Sequence, residues 1–175
     1  GDALTEGTRN VAFGKDALTA DTKGSRSTAV GFAALYTQNF TSATDAYNTA
    51  VGEQAGLLVT SGINNTFVGG LAGDSTDDGV NNVAVGKSAL SGNCGDNNTA
   101  VGEGALAVAT GGNNQCFGNS AGAAITSGNY NTILGQYSGN QGGLDIRTAN
   151  NNIVLADGQG NPRGVFDDSG NFLVG

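Results

Sequence analysis

The feature that most constrains this chain is one short repeat, Asn-Thr-Ala-Val-Gly-x-x-Ala-Leu, which recurs along most of its length. The glycine of the motif stands at Gly14, Gly31, Gly52, Gly69, Gly86, Gly102, Gly118 and Gly135. Successive glycines are 16 or 17 residues apart, with one interval of 21 between the second and third copies. A ninth copy keeps the apolar run but has Ala156 in place of the glycine. A fixed short period is typical of a solenoid, and this one is too short for a pair of helices.

The residue types within each copy favour strands joined by tight corners. β-branched Val, Thr and Ile oppose a helix, as does a glycine in every copy. Gly and Asn between the copies tolerate the positive φ angles that corners need. With 31 glycines in 175 residues, and no Trp or Met, the chain suits a coil whose walls stand about 10 Å apart. We therefore predict an all-β fold, a parallel β-roll or β-solenoid of about 9–10 short coils over residues 1–156.

Stacked coils place equivalent residues in ladders, about 4.8 Å apart. We expect Val and Phe to point inward, Ala to lie where the walls pack closely, and Asn to occupy a corner. An asparagine ladder should then bond from coil to coil and satisfy the turn backbone. Its members are Asn48, Asn65, Asn82, Asn98, Asn114 and Asn131. Binding of ice, glycan or metal by the same row is the alternative.

A row of leucines follows the motif and predicts self-association. Leu18, Leu35, Leu90 and Leu106 stand at the same position of their copies. In a thin coil we expect them to form an exposed apolar stripe, and such stripes mark interfaces. Three chains packed around a common axis would cover it.

The 21-residue interval brings aromatic residues together. Phe32, Tyr36, Phe40 and Tyr47 lie in or beside it. They are candidate receptor contacts, because aromatic rings on a bulging loop can stack on sugar rings. The alternative is that they fill the centre of a trimer or seal a distorted coil.

The repeat resembles the head repeats of trimeric autotransporter adhesins and related repeats in bacteriophage tail fibres. That resemblance implies a left-handed roll built from three identical chains. The segment 157–175 resembles a tail-fibre element with the pattern Asp-Gly-x-Gly-Asn…Arg…Asp-x-Ser-Gly-Asn-x-Leu-Val-Gly. In those fibres it precedes an intramolecular chaperone that trimerises the fibre and cuts itself off. Its own pattern predicts a β-meander, with strands at 153–155, 164–166 and 172–174, that caps the rod.

The resemblance implies a structural and adhesive role in host attachment. The expected partners are two further copies, other tail-fibre or virion proteins, and a host surface glycan or protein. The expected location is extracellular, on the virion. The alternative is the head of a trimeric adhesin on a bacterial cell surface.

The composition offers little for catalysis, and we expect no enzyme, cofactor or metal. The chain has no His, and a net charge of −8 without a Lys/Arg cluster argues against nucleic acid and anionic membranes. Its clustered carboxylates lie in expected turns, where a solvated role is favoured over glycoside hydrolysis or calcium binding. They are Asp74, Asp77, Asp78, Asp167 and Asp168. Cys116 occupies an Ala position, so we expect a buried, reduced thiol unbonded to Cys94.

Overall fold

The computed structural model describes residues 1–174, and this part of the chain contains strands and turns but no helix. The strands are β1 (Val11–Phe13), β2 (Gly24–Ser25), β3 (Thr28–Val30), β4 (Thr44–Asp45), β5 (Thr49–Val51), β6 (Thr66–Val68), β7 (Val83–Val85), β8 (Thr99–Val101), β9 (Gln115–Phe117), β10 (Thr132–Leu134), β11 (Asn140–Gln141), β12 (Leu144–Asp145), β13 (Ile153–Ala156), β14 (Pro162–Phe166) and β15 (Phe172–Val174).

The motif strands stack in parallel and in register to form a β-solenoid of about nine turns. The main sheet runs β1-β3-β5-β6-β7-β8-β9-β10-β13, and β14 and β15 then continue it antiparallel. Equivalent motif residues pair directly, Ala84 with Ala100 and Val85 with Val101. Two small pairings lie outside this sheet: β2 with β4, and the hairpin β11–β12. The predicted fold class, including its C-terminal meander, is confirmed for residues 1–174.

The middle residue of each motif strand points into the coil. Ala84 and Ala100 are fully buried, whereas Val85 and Val101 are 37% and 36% exposed. The expectation that Val faces inward is therefore wrong. Successive strand residues point to opposite faces, so a three-residue strand sends one side chain inward and two outward. Alanine occupies the single inward place in five of the nine motif strands, and the others have Phe67, Cys116, Ile133 and Val154.

The leucines that follow the motif are also internal, so the predicted exposed leucine stripe is wrong. Leu18, Leu35, Leu90 and Leu106 are all fully buried. Each has a left-handed backbone, with φ between 49° and 51°. This corner carries the leucine into the coil, beside the inward alanines. A positive φ is uncommon for a residue of this size, and nothing in the leucine pattern announces it.

A large inward residue is accompanied by glycine at the leucine position of its own or a neighbouring coil. Phe67 replaces the inward alanine, and Gly56 and Gly73 stand where other coils have leucine. A Cβ on Gly73 would lie 2.5 Å from the Phe67 ring, and a Cβ on Gly56 would lie 3.0 Å from it. Cys116 and Gly122 repeat the exchange, since a Cβ on Gly122 would meet Cys116 Sγ at 2.8 Å. The large residue fills the space that the missing leucine leaves.

The motif glycines form a ladder that allows no side chain. Gly86 has φ 130°, and a Cβ there would lie 2.6 Å from the carbonyl oxygen of Gly102 in the next coil. The same collision recurs up to Gly135, which faces the carbonyl of Ala156. Ala156 pairs instead with Pro162 across an irregularity in the antiparallel sheet. The glycine requirement therefore ends where parallel stacking ends.

The C-terminal meander is built from two turns of the same design. Asp157 accepts hydrogen bonds from the backbone N–H groups of Gln159 and Asn161 at 2.9 and 3.0 Å. Asp167 repeats this ten residues later with Ser169 and Asn171. Bonds from Arg163 and from the Asn161 backbone hold the pKa of Asp157 well below its ordinary value. The predicted element 157–175 ends at Gly175, which lies outside the described residues.

The exchange of volume between Phe67 and Gly73 predicts a coupled pair of substitutions. Gly73→Leu should destabilise by about 1–3 kcal/mol through overpacking, and Phe67→Ala by about 3–5 kcal/mol through a cavity. The double variant restores the pair of Ala84 and Leu90, so it should be more stable than the sum of the single changes. Urea denaturation measures all three. If the loss in free energy of unfolding of the double variant equalled the sum of the two single losses, Phe67 and Gly73 would not be exchanging volume.

Candidate interaction surface

The asparagine ladder is an internal structural element. Its six predicted members are fully buried. In all of them except Asn48, the backbone N–H donates to Oδ1 of the asparagine in the coil before, as Asn98 does to Asn82 at 2.8 Å. In five of the six members, all but Asn82, the side-chain amide donates to a corner carbonyl of the next coil, as Asn98 does to Gly111 at 3.0 Å. Burial leaves this row no access to ice, glycan or metal.

The ladder has one gap, and a buried polar network fills it. The second copy has Ser27 where the others have asparagine. Gln38 reaches into the space, donates to Ser27 Oγ at 3.1 Å and accepts from Asn48 Nδ2 at 2.8 Å. Gln38 Nε2 also donates to the buried carboxylate of Asp21 at 2.6 Å, and backbone N–H groups including that of Gly24 add to this support. Hydrogen bonding offsets much of the cost of burying the charge.

A second row of asparagines lies outside the coil and was not predicted. Asn81, Asn97 and Asn113 immediately precede ladder residues and have φ near 60°. Asn81 Nδ2 donates to Asn97 Oδ1 at 3.2 Å, and Asn97 Nδ2 to Asn113 Oδ1 at 3.3 Å. The Asn-Asn dipeptides of the sequence signal this row. Asparagine suits the position because it tolerates the left-handed region.

The largest candidate surface is the outer side of the main sheet, which we call the sheet face. It consists of the first and third residues of the motif strands, and these are partly or largely exposed. They are Val11, Phe13, Thr28, Val30, Thr49, Val51, Thr66, Val68, Val83, Val85, Thr99, Val101, Gln115, Phe117, Thr132, Leu134, Ile153 and Leu155. The meander continues the face, because Phe166 pairs with Ile153 and stacks 4.7 Å from Phe172.

None of these motif-strand residues of the sheet face carries a charge. The whole chain has seven Lys and Arg and fifteen Asp and Glu residues, and all of them lie elsewhere. Val51, Val68, Val85 and Val101 form a continuous valine column at its centre, each 36–37% exposed. Depletion of charge with retention of apolar side chains is typical of the core of a protein interface. The sheet face thus has the composition that the leucine row was expected to supply.

The structure separates the four aromatic candidates. Phe32 and Tyr36 are 43% and 42% exposed and line one groove of about 250 Å³. Tyr47 lies at a different corner, beneath the guanidinium of Arg26, which is 5.3 Å from its ring centre. Phe40 is buried beside Gly24 and seals the distorted coil, so its prediction as a surface contact is wrong. The inserted residues fold back onto the solenoid through β4, which draws Phe40 inside.

Groups with catalytic potential are dispersed or buried. Within residues 1–174, no three His, Cys, Asp or Glu side chains are placed to share a metal ion. Burial raises the pKa of the Cys116 thiol to about 12, and Cys94 is a second buried, free cysteine. Asp74 is partly buried, and desolvation raises its pKa. The described residues also include no helix long and apolar enough to cross a bilayer.

Comparison of the chain with protein families, with curated proteins and with solved structures found no match.

The buried and exposed asparagine rows predict opposite responses to substitution. Asn98→Ala leaves the Asn114 N–H and the Gly111 carbonyl without their partners. At about 1–3 kcal/mol for each unsatisfied buried group, the loss should be about 2–5 kcal/mol. The neighbouring Asn97→Gly keeps the left-handed corner and should cost at most about 0.5 kcal/mol. Thermal and urea denaturation measure both. Equal losses would show that the ladder does not stabilise the stack.

Proposed function

We propose that this chain is a shaft segment of a bacteriophage tail fibre, a homotrimeric rod that takes part in host attachment. The observation that carries the proposal is the uncharged, apolar sheet face, which extends over every coil and onto the meander. A surface of that extent is costly to leave in water and marks an interaction site. Two further copies of the chain are its proposed partners.

The sheet face suits packing along an axis. Its columns repeat at the spacing of the coils, so identical rods can place valine beside valine along their whole length. Flat, uncharged columns present no like charges to one another at the centre of such an assembly. Three copies, rather than two, rest on the resemblance of the repeat to trimeric fibres and adhesins. The exposed sheet face thereby replaces the buried leucines as the basis for the proposed self-association.

The C-terminal element favours a tail fibre over an adhesin head. The resemblance lies in the pattern from Asp157 to Val174, and the structure gives this pattern a definite form, two matched aspartate turns joining β13, β14 and β15. The proposed location is the virion, in contact with other tail-fibre proteins. The repeat itself resembles adhesin heads equally well and supports that alternative on a bacterial cell surface.

A lysine in the valine column should prevent assembly. Val101→Lys would bring three ammonium groups together at the proposed axis, whereas Val108→Lys changes a more exposed valine of the same coil outside the sheet face. Size-exclusion chromatography with light scattering should give three times the 17.2 kDa chain mass for the wild type and Val108→Lys, and the single-chain mass for Val101→Lys. A monomeric wild type would contradict the proposed trimer.

Electron microscopy distinguishes the two proposed locations. Gold-labelled antibodies raised against the purified chain should mark fibres of virions in a lysate from the source material. Labelling confined to cell envelopes would favour the adhesin and overturn the tail-fibre assignment. Antibodies preadsorbed with the chain serve as the control.

A further inference from the structure

The groove formed by Phe32 and Tyr36, which we call the aromatic groove, spans the first three coils. Asp16 comes from the first coil, Phe32, Ala33 and Tyr36 from the second, and Gln54 and Leu57 from the third. Ala33 is 4% exposed, so a small buried residue lies between two exposed rings. Asp16, Ala33 and Gln54 occupy the same position of successive coils, two residues after the motif glycine. The aromatic groove therefore has two aromatic rings and two polar side chains arranged around the small residue Ala33 at its floor.

Among the glycine-bearing copies, the second alone has aromatic residues both one and five residues after the motif glycine, at Phe32 and Tyr36. The residue that follows the motif glycine is Lys15, Glu53, Gly70, Lys87, Glu103, Asn119 or Gln136 in the other glycine-bearing copies, against Phe32 here. The rings are not required by the coil, since both remain more than two-fifths exposed while the interior is filled by other residues. A solenoid stabilised by its inner ladders gains little from exposed aromatics. Their pairing is thus better explained by a ligand.

Building on the attachment role proposed above, we propose that the aromatic groove binds a saccharide. An aromatic ring offers an apolar face that matches the C–H face of a pyranose, and the Tyr hydroxyl adds a donor and acceptor. The Asp16 carboxylate accepts bonds from sugar hydroxyls, and the Gln54 amide both donates and accepts. A few polar groups around apolar surface fix the orientation of a bound ligand.

The charges around the groove favour neutral saccharides. Asp16 lies in the groove and its carboxylate is 3.7 Å from Lys15 Nζ, so this pair is close to neutral. The net charge of the chain is −8, which repels uronic and sialic acids. Hexose and N-acetylhexosamine units are the expected ligands.

The aromatic groove stays accessible in the proposed trimer. Phe32 and Tyr36 follow the motif glycine, where the chain turns away from the sheet face. Assembly through the sheet face would present three grooves outward on one rod. Repetition of a shallow site raises the avidity toward a surface with many copies of the sugar.

A glycan array tests the groove directly. The labelled wild-type chain is applied to printed oligosaccharides of neutral hexoses, of N-acetylhexosamines, and of uronic or sialic acids. We expect retention on the neutral or N-acetylated spots, and a loss of about tenfold or more for Phe32→Ala and for Tyr36→Ala. Tyr130→Ala, which removes a 60% exposed tyrosine far along the rod, is the matched control and should bind like the wild type.

Light scattering on every variant separates the groove from the assembly. Groove variants that keep the mass and melting temperature of the wild type while losing the saccharide support the proposal. The proposal would be overturned if the wild-type chain bound none of the spots or bound only acidic sugars. It would also be overturned if both groove variants bound like the wild type. A monomeric wild type that still binds neutral sugars would overturn the trimer and leave the saccharide site standing.

Discussion

The rest of the structure depends on how closely one coil lies on the next. At the motif glycines the backbone of one coil approaches the carbonyl of the following coil so nearly that a Cβ has no room, and φ near 130° excludes other residues independently. The asparagine ladder fixes the same spacing from the inside, because an asparagine such as Asn98 bonds through its backbone N–H to the coil before and through its side chain to the coil after. The inward strand position accepts residues from alanine to phenylalanine, because the corners rather than a thick core determine the shape of the coil. The volume exchange between Phe67 and Gly73 follows from the same fixed wall spacing.

Because the glycine and asparagine positions fix the spacing of the coils, the residues that point outward are free to vary. The Ala, Asn and Gly positions of the motif recur from coil to coil, whereas the residue after the motif glycine is lysine, phenylalanine, glutamate, glycine, asparagine or glutamine. The sheet face departs from that freedom, since it stays uncharged over all nine motif strands while charges are common on the other outward positions. A constraint that the coil does not impose on itself points to an external contact. This absence of charge is the support for the proposal that further copies of the chain cover the sheet face.

The repeat could be read from the sequence with its strands, its corners and its meander, because period and residue type determine these directly. The direction in which individual side chains point could not be read from the sequence. Whether Val or Ala points inward depends on where a three-residue strand begins relative to its corner, and the burial of Leu90 and Leu106 depends on a left-handed φ that leucine seldom adopts. Phe40 was expected at the surface because an inserted segment suggests a bulging loop, yet β2 and β4 pair and draw it inside. The exchange of Phe67 with Gly73 was not predicted either, because the third copy combines Ala50 with Gly56 and only the structure shows that Phe67 of the next coil fills that space.

The break in the ladder shows where a stack of this kind can change without collapsing. With Ser27 in place of asparagine, the side-chain bonds that the ladder otherwise makes to the next coil are missing, and each is a loss comparable to that of a deleted hydrogen bond. Gln38 provides a connection to Asn48 by accepting a hydrogen bond from its side-chain amide. The buried Asp21 then anchors both Gln38 and the inserted segment through Phe40 N–H. The same coil exposes Phe32 and Tyr36, so the one interruption of the internal ladder coincides with the one aromatic pair at these outward positions. The second coil therefore departs from the repeat twice, in the buried Ser27–Gln38–Asp21 network and in the exposed Phe32 and Tyr36. The simplest explanation of the altered interior is that it supports the aromatic groove on the outside of the same coil.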